Sequence, residues 1–219
     1  VTVDGIIPAR YKTIRIDGTL RFQPDTDTHL SVDTLVSSMT GRLEIGTADA
    51  PIGPDVSARL TFADFGPLDR STDPAQFGRG AVLMGQTEMH GVPKTPWTTL
   101  ATYPRAGDSL IELDEVPAGW AVGDDIVITG TEADDPTSDE RVMITAIDGS
   151  QITLDRSLER DHVPPVDGLQ VHVANMSRSV RIHSENPEIA HRGHVMFMHT
   201  LDARIHYVGF ADLGRTNKQ

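Results

Sequence analysis

Apolar and polar residues alternate along this chain in short runs with a period of two, and helical periodicity is almost absent. The clearest runs are Thr13–Phe22, Leu30–Val36, Arg42–Ile45, Ala58–Phe62 and Ala81–Met84. Gly, Asp and Pro separate them, where a chain rounding a corner needs a positive or a fixed φ. One signature recurs: Ile16-Asp17-Gly18-Thr19-Leu20-Arg21-Phe22, then Thr40-Gly41-Arg42-Leu43-Glu44-Ile45-Gly46, then the weaker Met84-Gly85-Gln86-Thr87-Glu88-Met89. The first two glycines lie 23 positions apart and the next two 44, or twice 22, with Ala58–Phe62 filling the place of a missing copy. A strand-turn-strand unit at this pitch predicts a β-solenoid, each coil burying its apolar side against its neighbours. Such stacked parallel strands offer a long flat face suited to extended polymers.

The rhythm changes from Tyr103 to Val166. Trp120–Thr129, Arg141–Ile147 and Gln151–Leu154 are short strands joined by tight turns, and Asp148-Gly149 between two of them signals a hairpin. This predicts a small antiparallel β-barrel-like insert with Trp120 plugging its core. After Val171-His172-Val173 the solenoid pattern resumes in Ser179–His183, His194–His199 and Arg204–Phe210. Ile182, Val195, Phe197, Ile205, Val208 and Phe210 form the expected inward set. The domain reading is therefore 1–102 for the first coils, 103–166 for the insert and 167–219 for continuing coils. No capping element follows Asp212, so the last coil is expected to be covered by further sequence of the same precursor or by another chain.

Charge sharpens this division. The net charge of −13 is concentrated in residues 103–174, which carry 4 basic and 16 acidic side chains. Residues 175–219 carry 6 basic and 4 acidic ones, and five of the nine histidines. The C-terminal coils can thus face an anion. No basic stripe with interleaved aromatics occurs, so no nucleic-acid partner is expected. With no cysteine there is neither a disulfide framework nor thiolate chemistry. No run reaches the roughly 18 apolar residues of a membrane span.

Ile14–Phe22, Leu35–Thr47, Met89–Leu100 (with His-Gly-Val-Pro-Lys-Thr-Pro-Trp), Trp120–Ile128 and His191–Gly214 resemble, in that order, the eight-glycine (G-eight) domain family. The likeness extends to the β-helix that follows this domain in cell-surface hyaluronidases and fibrocystin-like proteins. It implies an all-β, right-handed parallel β-helix on the secreted or cell-surface side, with hyaluronan or another glycan as ligand, and calcium dependence in the animal hyaluronidases. The family's opening strands would precede Val1, so the chain resembles a piece truncated at both ends. The α/β domain that carries the hyaluronidases' proposed catalytic residues has no counterpart after His90–Leu100. No catalytic residue is carried over.

The candidate chemistry lies in the later coils. His194, His199 and His206, with His90 from an earlier coil and Asp212, are candidate ligands for zinc or copper, since rungs about 4.8 Å apart let two imidazoles share an ion. Strand parity sets His194 and His199 on opposite faces, so surface histidines are the competing reading. Calcium is a second possible ion, through Asp25 and Asp27, against the competing and favoured reading of a solvated turn. Arg178, Arg181, Arg192 and Arg204 recur at coil-like intervals and can grip the carboxylates of a uronic-acid polymer, against the alternative of ordinary solvated strand residues. Trp97 offers a ring for sugar stacking or a lid over the solenoid. Two functions stay open: the N-terminal part of an extracellular carbohydrate-active protein, hydrolase or lyase, acting on an anionic polysaccharide, or a non-catalytic glycan-binding or adhesive module.

Overall fold

The computed structural model describes residues 1–69, 71–132, 134–135, 137–200 and 202–215. Thr216–Gln219, the end of the bare terminus read from the sequence, lie outside the described residues. In chain order the strands are β1 (Thr2–Val3), β2 (Ile6–Ile16), β3 (Thr19–Phe22), β4 (Thr28–Ser37), β5 (Arg42–Ile45), β6 (Ala58–Phe62), β7 (Gly80–Leu83), β8 (Gln86–His90) and β9 (Trp97–Thr99). They continue as β10 (Leu110–Glu112), β11 (Asp125–Ile128), β12 (Glu140–Asp148), β13 (Gln151–Leu154), β14 (His172–Asn175), β15 (Val180–Ser184), β16 (Val195–Phe197), β17 (Ala203–His206) and β18 (Val208–Ala211). Among the described residues a single short 3₁₀ turn, Ile189–His191, is helical, and no helix is long and apolar enough to cross a membrane.

One unit, Val1–Val92 with Arg178–Gln219, is the β-helix-like curl of two parallel sheets. The first sheet runs β1-β3-β5-β8-β17. Its register stacks Leu20, Leu43, Thr87 and Ala203 in one inward column and Phe22, Ile45, Met89 and Ile205 in another. Between them Arg21, Glu44, Glu88 and Arg204 form an outward column, as strand alternation requires. The second sheet runs β16-β7-β4-β6-β15-β18, with β2 on the far edge of β4. Long β4 pairs with β6 through its first half and with β7 through its second. Leu30, Leu60 and Ile182 stack in register and are fully buried, each burial contributing about 1.5–3 kcal/mol.

Two sequence expectations change. The third glycine copy is the very next rung, because β5 pairs directly with β8; no copy is missing. Ala58–Phe62 is β6 of the other sheet, and the doubled spacing is one long coil that includes the 64–79 loop. In the inward set, Ile182 is buried and Val195 and Val208 pack on the core, whereas Phe197 and Phe210 are exposed. Both phenylalanines lie on edge strands of the sheet, with no further rung among the described residues to cover them.

The glycines mark corners where one coil lies hard against the next. A Cβ on Gly85 would fall inside contact distance of the Gly41 carbonyl and 2.6 Å from that of Ser38, and one on Gly41 would strike the Ile16 carbonyl. At the outermost of these three corners Gly18 has open space. The second corner repeats the device: Gly46, at φ 73°, abuts the His90 carbonyl, and Gly91 the Tyr207 carbonyl.

The other unit, Pro93–Ser177, is a curled antiparallel sheet in the order β10-β13-β12-β11-β14-β9. Its bounds are wider than the 103–166 read from the change of rhythm, since β9 and β14 complete the sheet. Trp120 is 8% exposed in its core, and its indole N–H donates to the Thr95 carbonyl at 2.7 Å. Asp148 pairs with Gln151, so the hairpin is closed by two residues, Gly149 (φ 60°) and Ser150. Buried Lys94 sits 2.7 and 2.6 Å from the two oxygens of Asp124. The chain leaves and re-enters the parallel unit at neighbouring points: the Val92 N–H donates to the Ser179 hydroxyl at 2.9 Å.

Candidate functional site

Alternation in β4, β6 and β15 turns Leu30, Leu60 and Ile182 inward and therefore presents His29, Arg59 and Arg181 outward, in register on three adjacent rungs. One row further along, Ser31, Thr61 and His183 face the same way. Arg59 and Arg181 are exposed, and among the described residues they are the arginines that neither hydrogen-bond nor pair with a carboxylate. Like charges directly opposite on neighbouring strands repel. Here they stand about one rung, roughly 4.8 Å, apart along the sheet.

Beside them His29 and His183 share one hydroxyl. His29 Nε2 lies 2.8 Å from Thr61 Oγ1, and His183 Nε2 lies 2.9 Å from the same oxygen. His183 Nδ1 lies 3.1 Å from the Ser184 carbonyl, which can only accept. The neutral His183 thus carries its proton on Nδ1, its Nε2 accepts the Thr61 O–H, and Thr61 accepts the Nε2–H of His29. This leaves the lone pair of His29 on Nδ1, which has no hydrogen bond among the described residues and is not sealed from solvent. Burial first, then Arg59 and the neighbouring His183, push the His29 pKa down. Burial also lowers His183, helped by Arg181 and Arg59 and opposed by the Ser184 carbonyl and Asp212.

The same edge of the sheet carries an ionic corner. Arg10 of β2 reaches the Asp64 carbonyl at 2.7 Å and Glu185 at 2.5 Å, and its guanidinium lies 4.6 Å over the exposed Phe65 ring. Asp64 accepts from Asn186 at 2.9 Å and from His191 Nδ1 at 2.7 Å, and pairs with Arg79 at 2.7 Å. Arg79 is 1% exposed, donates to the carbonyls of His191 and Gly66, and stands 3.9 Å from buried Asp33. Burial would raise the Asp64 pKa, but Asn186, the Gly66 N–H, His191 and Arg79 outweigh it and hold the carboxyl below its ordinary value.

The residues singled out from the sequence are spread over several places. Arg181 is on the outward face just described. Arg178 precedes β15 and has interactions of its own; Arg192 donates to the Pro187 carbonyl at 2.7 Å; Arg204 pairs with Asp202 at 3.1 Å. Trp97 lies in β9 of the antiparallel unit, 56% exposed, its ring 5.1 Å from that of His172. His90 and His206 are brought together on adjacent rungs of the first sheet, ring centroids 4.7 Å apart. His194 instead precedes β16 of the second sheet, with Arg215 3.3 Å from its Nδ1, and His199 follows that strand. Asp212 lies past β18, 4.0 Å from Arg192. Among the described residues no three His, Cys, Asp or Glu side chains are grouped to hold a metal ion. Asp27 caps a turn through the N–H and hydroxyl of Ser57. Sequence reading missed His29, Arg59, Thr61 and His183. The one available signal, a polar residue at the outward position of an apolar-alternating run, is common to every strand here.

Comparison with known proteins agrees with the glycine pattern. The G8 domain family model matches residues 1–101. Human Fibrocystin-L is 32% identical over 152 residues, a stretch that covers 67% of this chain and 3% of Fibrocystin-L. Among solved structures, the gp61 tailspike of Pseudomonas phage phi297 superposes with a TM-score of 0.35 at 13% identity, covering 89% of this chain and 27% of that one. The gp54 tailspike of Acinetobacter baumannii phage AP22, solved with a capsular saccharide, gives 0.32 at 13% identity, covering 87% and 26%. The segment matched by the family model spans the glycine corners at Gly18, Gly41 and Gly85, and residues 1–101 of this chain are a G8 domain.

Proposed function

We propose that this chain is part of a secreted or cell-surface carbohydrate-active protein whose parallel unit takes an anionic polysaccharide along the outward face of β4, β6 and β15. The observation that carries this reading is the pair Arg59 and Arg181, in register, exposed and, among the described residues, engaged in no salt bridge or side-chain hydrogen bond; Asp27 feels the charge of Arg59 but is spent on the N–H and hydroxyl of Ser57. A uronate carboxylate supplies the counter-charge and accepts paired N–H donors in the plane of a guanidinium. Glu44 and Glu88, the buried carboxylates of the first sheet, are committed to arginines: Arg42 reaches both, at 2.6 and 3.1 Å, and Arg21 holds Glu44. On the β4, β6 and β15 face itself the two outward rows hold arginine, histidine and hydroxyl side chains and no carboxylate, which favours elimination over a two-carboxylate hydrolysis as the cleavage chemistry.

The test is affinity electrophoresis in hyaluronan, chondroitin sulfate or alginate against neutral dextran. Retardation by the anionic gels, weakened by salt, is expected. Arg59→Ala with Arg181→Ala should weaken it about tenfold or more, since a charge-assisted hydrogen bond is worth about 1.5–3 kcal/mol. Equal retardation in dextran, or an unaffected double variant, sinks the assignment. The alternative, a non-catalytic adhesive module, predicts the same retardation with no shortening of the polymer.

A further inference from the structure

The hydroxyl-bridged histidines do more than line the face, because their hydrogen bonds fix where the available lone pair is. We propose that His29 Nδ1 is the proton acceptor in an eliminative cleavage of uronate-containing polysaccharide, with Arg59 and Arg181 holding the carboxylate and Thr61 and His183 positioning His29. The inference rests on the glycan-binding reading above.

Three features of the site converge on it. Ser184 O, His183, Thr61 and His29 form an unbroken chain in which each donor has one acceptor, and its open end is the His29 lone pair. Its Cα partner on the next rung is Arg59, and Arg181 follows on the rung after that. The carboxylate, whose charge grows when the adjacent C–H is ionised, therefore sits beside the group that takes the proton. Both imidazoles are kept from protonating by burial and by the arginines, so the acceptor form is the one present near neutral pH.

The step balances without an outside reagent other than water. His29 Nδ1 removes the proton from C5 of the uronate, and the C–H electron pair becomes the C4=C5 double bond. The C4–O glycosidic bond breaks with its pair leaving on oxygen, and that oxygen takes a proton from water. The hydroxide so formed takes the proton from the His29 imidazolium, which restores the neutral ring. Thr61 accepts the Nε2–H throughout and holds the ring in the tautomer with Nδ1 free.

The experiment incubates the protein with hyaluronan, alginate and polygalacturonate. It follows the ultraviolet absorbance of the double bond conjugated to the carboxylate, with reducing ends and affinity electrophoresis alongside. Absorbance should rise in step with reducing ends on at least one polymer. His29→Gln should slow it about 100-fold or more, far beyond any change in retardation, a general base contributing at least that much. Thr61→Val should also slow it, and Thr61→Ser should restore it, which a packing role alone would not do. Retardation without absorbance on all three polymers overturns the proton-acceptor role and leaves the binding reading standing. Absence of retardation overturns both. Reducing ends without absorbance mean hydrolysis and overturn it too, as does full activity in folded His29→Gln; if that variant fails to fold, the Thr61 pair decides.

Discussion

Replacing Arg79 by Met isolates what the ionic corner contributes. Arg79 and Asp33 have side chains 1% exposed, and Asp64 is nearly as enclosed at 14%. Removing one partner of a buried ion pair costs about 3–5 kcal/mol, because the remaining charge keeps its desolvation penalty. Several contacts moderate that here. Asp33 retains Lys12 at 3.2 Å and the Thr34 hydroxyl at 2.7 Å, and Asp64 retains Asn186 and His191. The Gly66 and His191 carbonyls lose their donors, at about 1 kcal/mol each. The low end of the range, about 3 kcal/mol, is therefore expected, a large share of the roughly 5–15 kcal/mol that holds a domain together. In urea, with an m value of about 2 kcal/mol/M, it lowers the midpoint by about 1.5 M. Far-ultraviolet circular dichroism follows the transition, and amide exchange should accelerate in β4, β6 and β7. Trp97 and Trp120 both lie in 93–177, so tryptophan fluorescence is the wrong probe for this unit. Met fills most of the arginine's volume, which leaves charge as the main change. A midpoint that moves by less than about 0.5 M would show that the carboxylates of Asp33 and Asp64 need no buried cation, and the reasoning fails.

Gly85→Ala should destabilise by about 1–3 kcal/mol or more, because the new methyl meets two backbone carbonyls that cannot swing aside, whereas Gly18→Ala should be nearly neutral. Equal urea midpoints for the two variants refute the close-approach account. Stability should fall as pH drops from about 6.5, the ordinary histidine value. His29, His90 and His183 are held below it chiefly by burial, so the unfolded chain takes up protons first; their contribution is present above that pH and is lost as pH falls through the folded values. A second loss follows as Asp64 and Glu140 protonate: burial opposes their depressed pKa values, but hydrogen bonds outweigh it in both. A urea midpoint that stays flat between pH 7 and 5 contradicts the histidine part. Lys94→Met strands Asp124, which among the described residues keeps the Asn175 side chain and the Ala121 N–H, and should cost about 3–5 kcal/mol. Trp120 fluorescence in urea reads that loss directly, and an unchanged midpoint speaks against it.

The column of β3, β5 and β8 was legible in the sequence because each copy repeats the same glycine before the same alternation. The placing of β6 was not, since strands of both sheets carry that alternation and only pairing separates them. In a solenoid, consecutive strands go to different sheets, so nearness along the chain misleads. His194, just ahead of β16 of the second sheet, and His206, the end of β17 in the first, are twelve residues apart, while His29 and His183 share a hydroxyl across 154 positions. Arg59 escaped notice for a related reason. Whether an arginine lacks a carboxylate is decided by which acids the coils bring beside it: Arg42 finds Glu88 on the next rung, and Arg10 finds Glu185 across 175 positions.

The antiparallel unit also sets the order in which the coils can close. β6 pairs with β4 on one edge and with β15 on the other, and Leu60 waits for Ile182. During synthesis β6 and β8 stand as bare edges while the whole of 93–177 is made, and that segment, with its local hairpin, can complete itself in the meantime. Lengthening such a detour adds little closure entropy, about 0.6 kcal/mol per doubling, so the cost is one of time and of edges left open to wrong partners. The segment between Val92 and Arg178 is thus a delay line, and its folding speed governs how long the nascent coils remain adhesive.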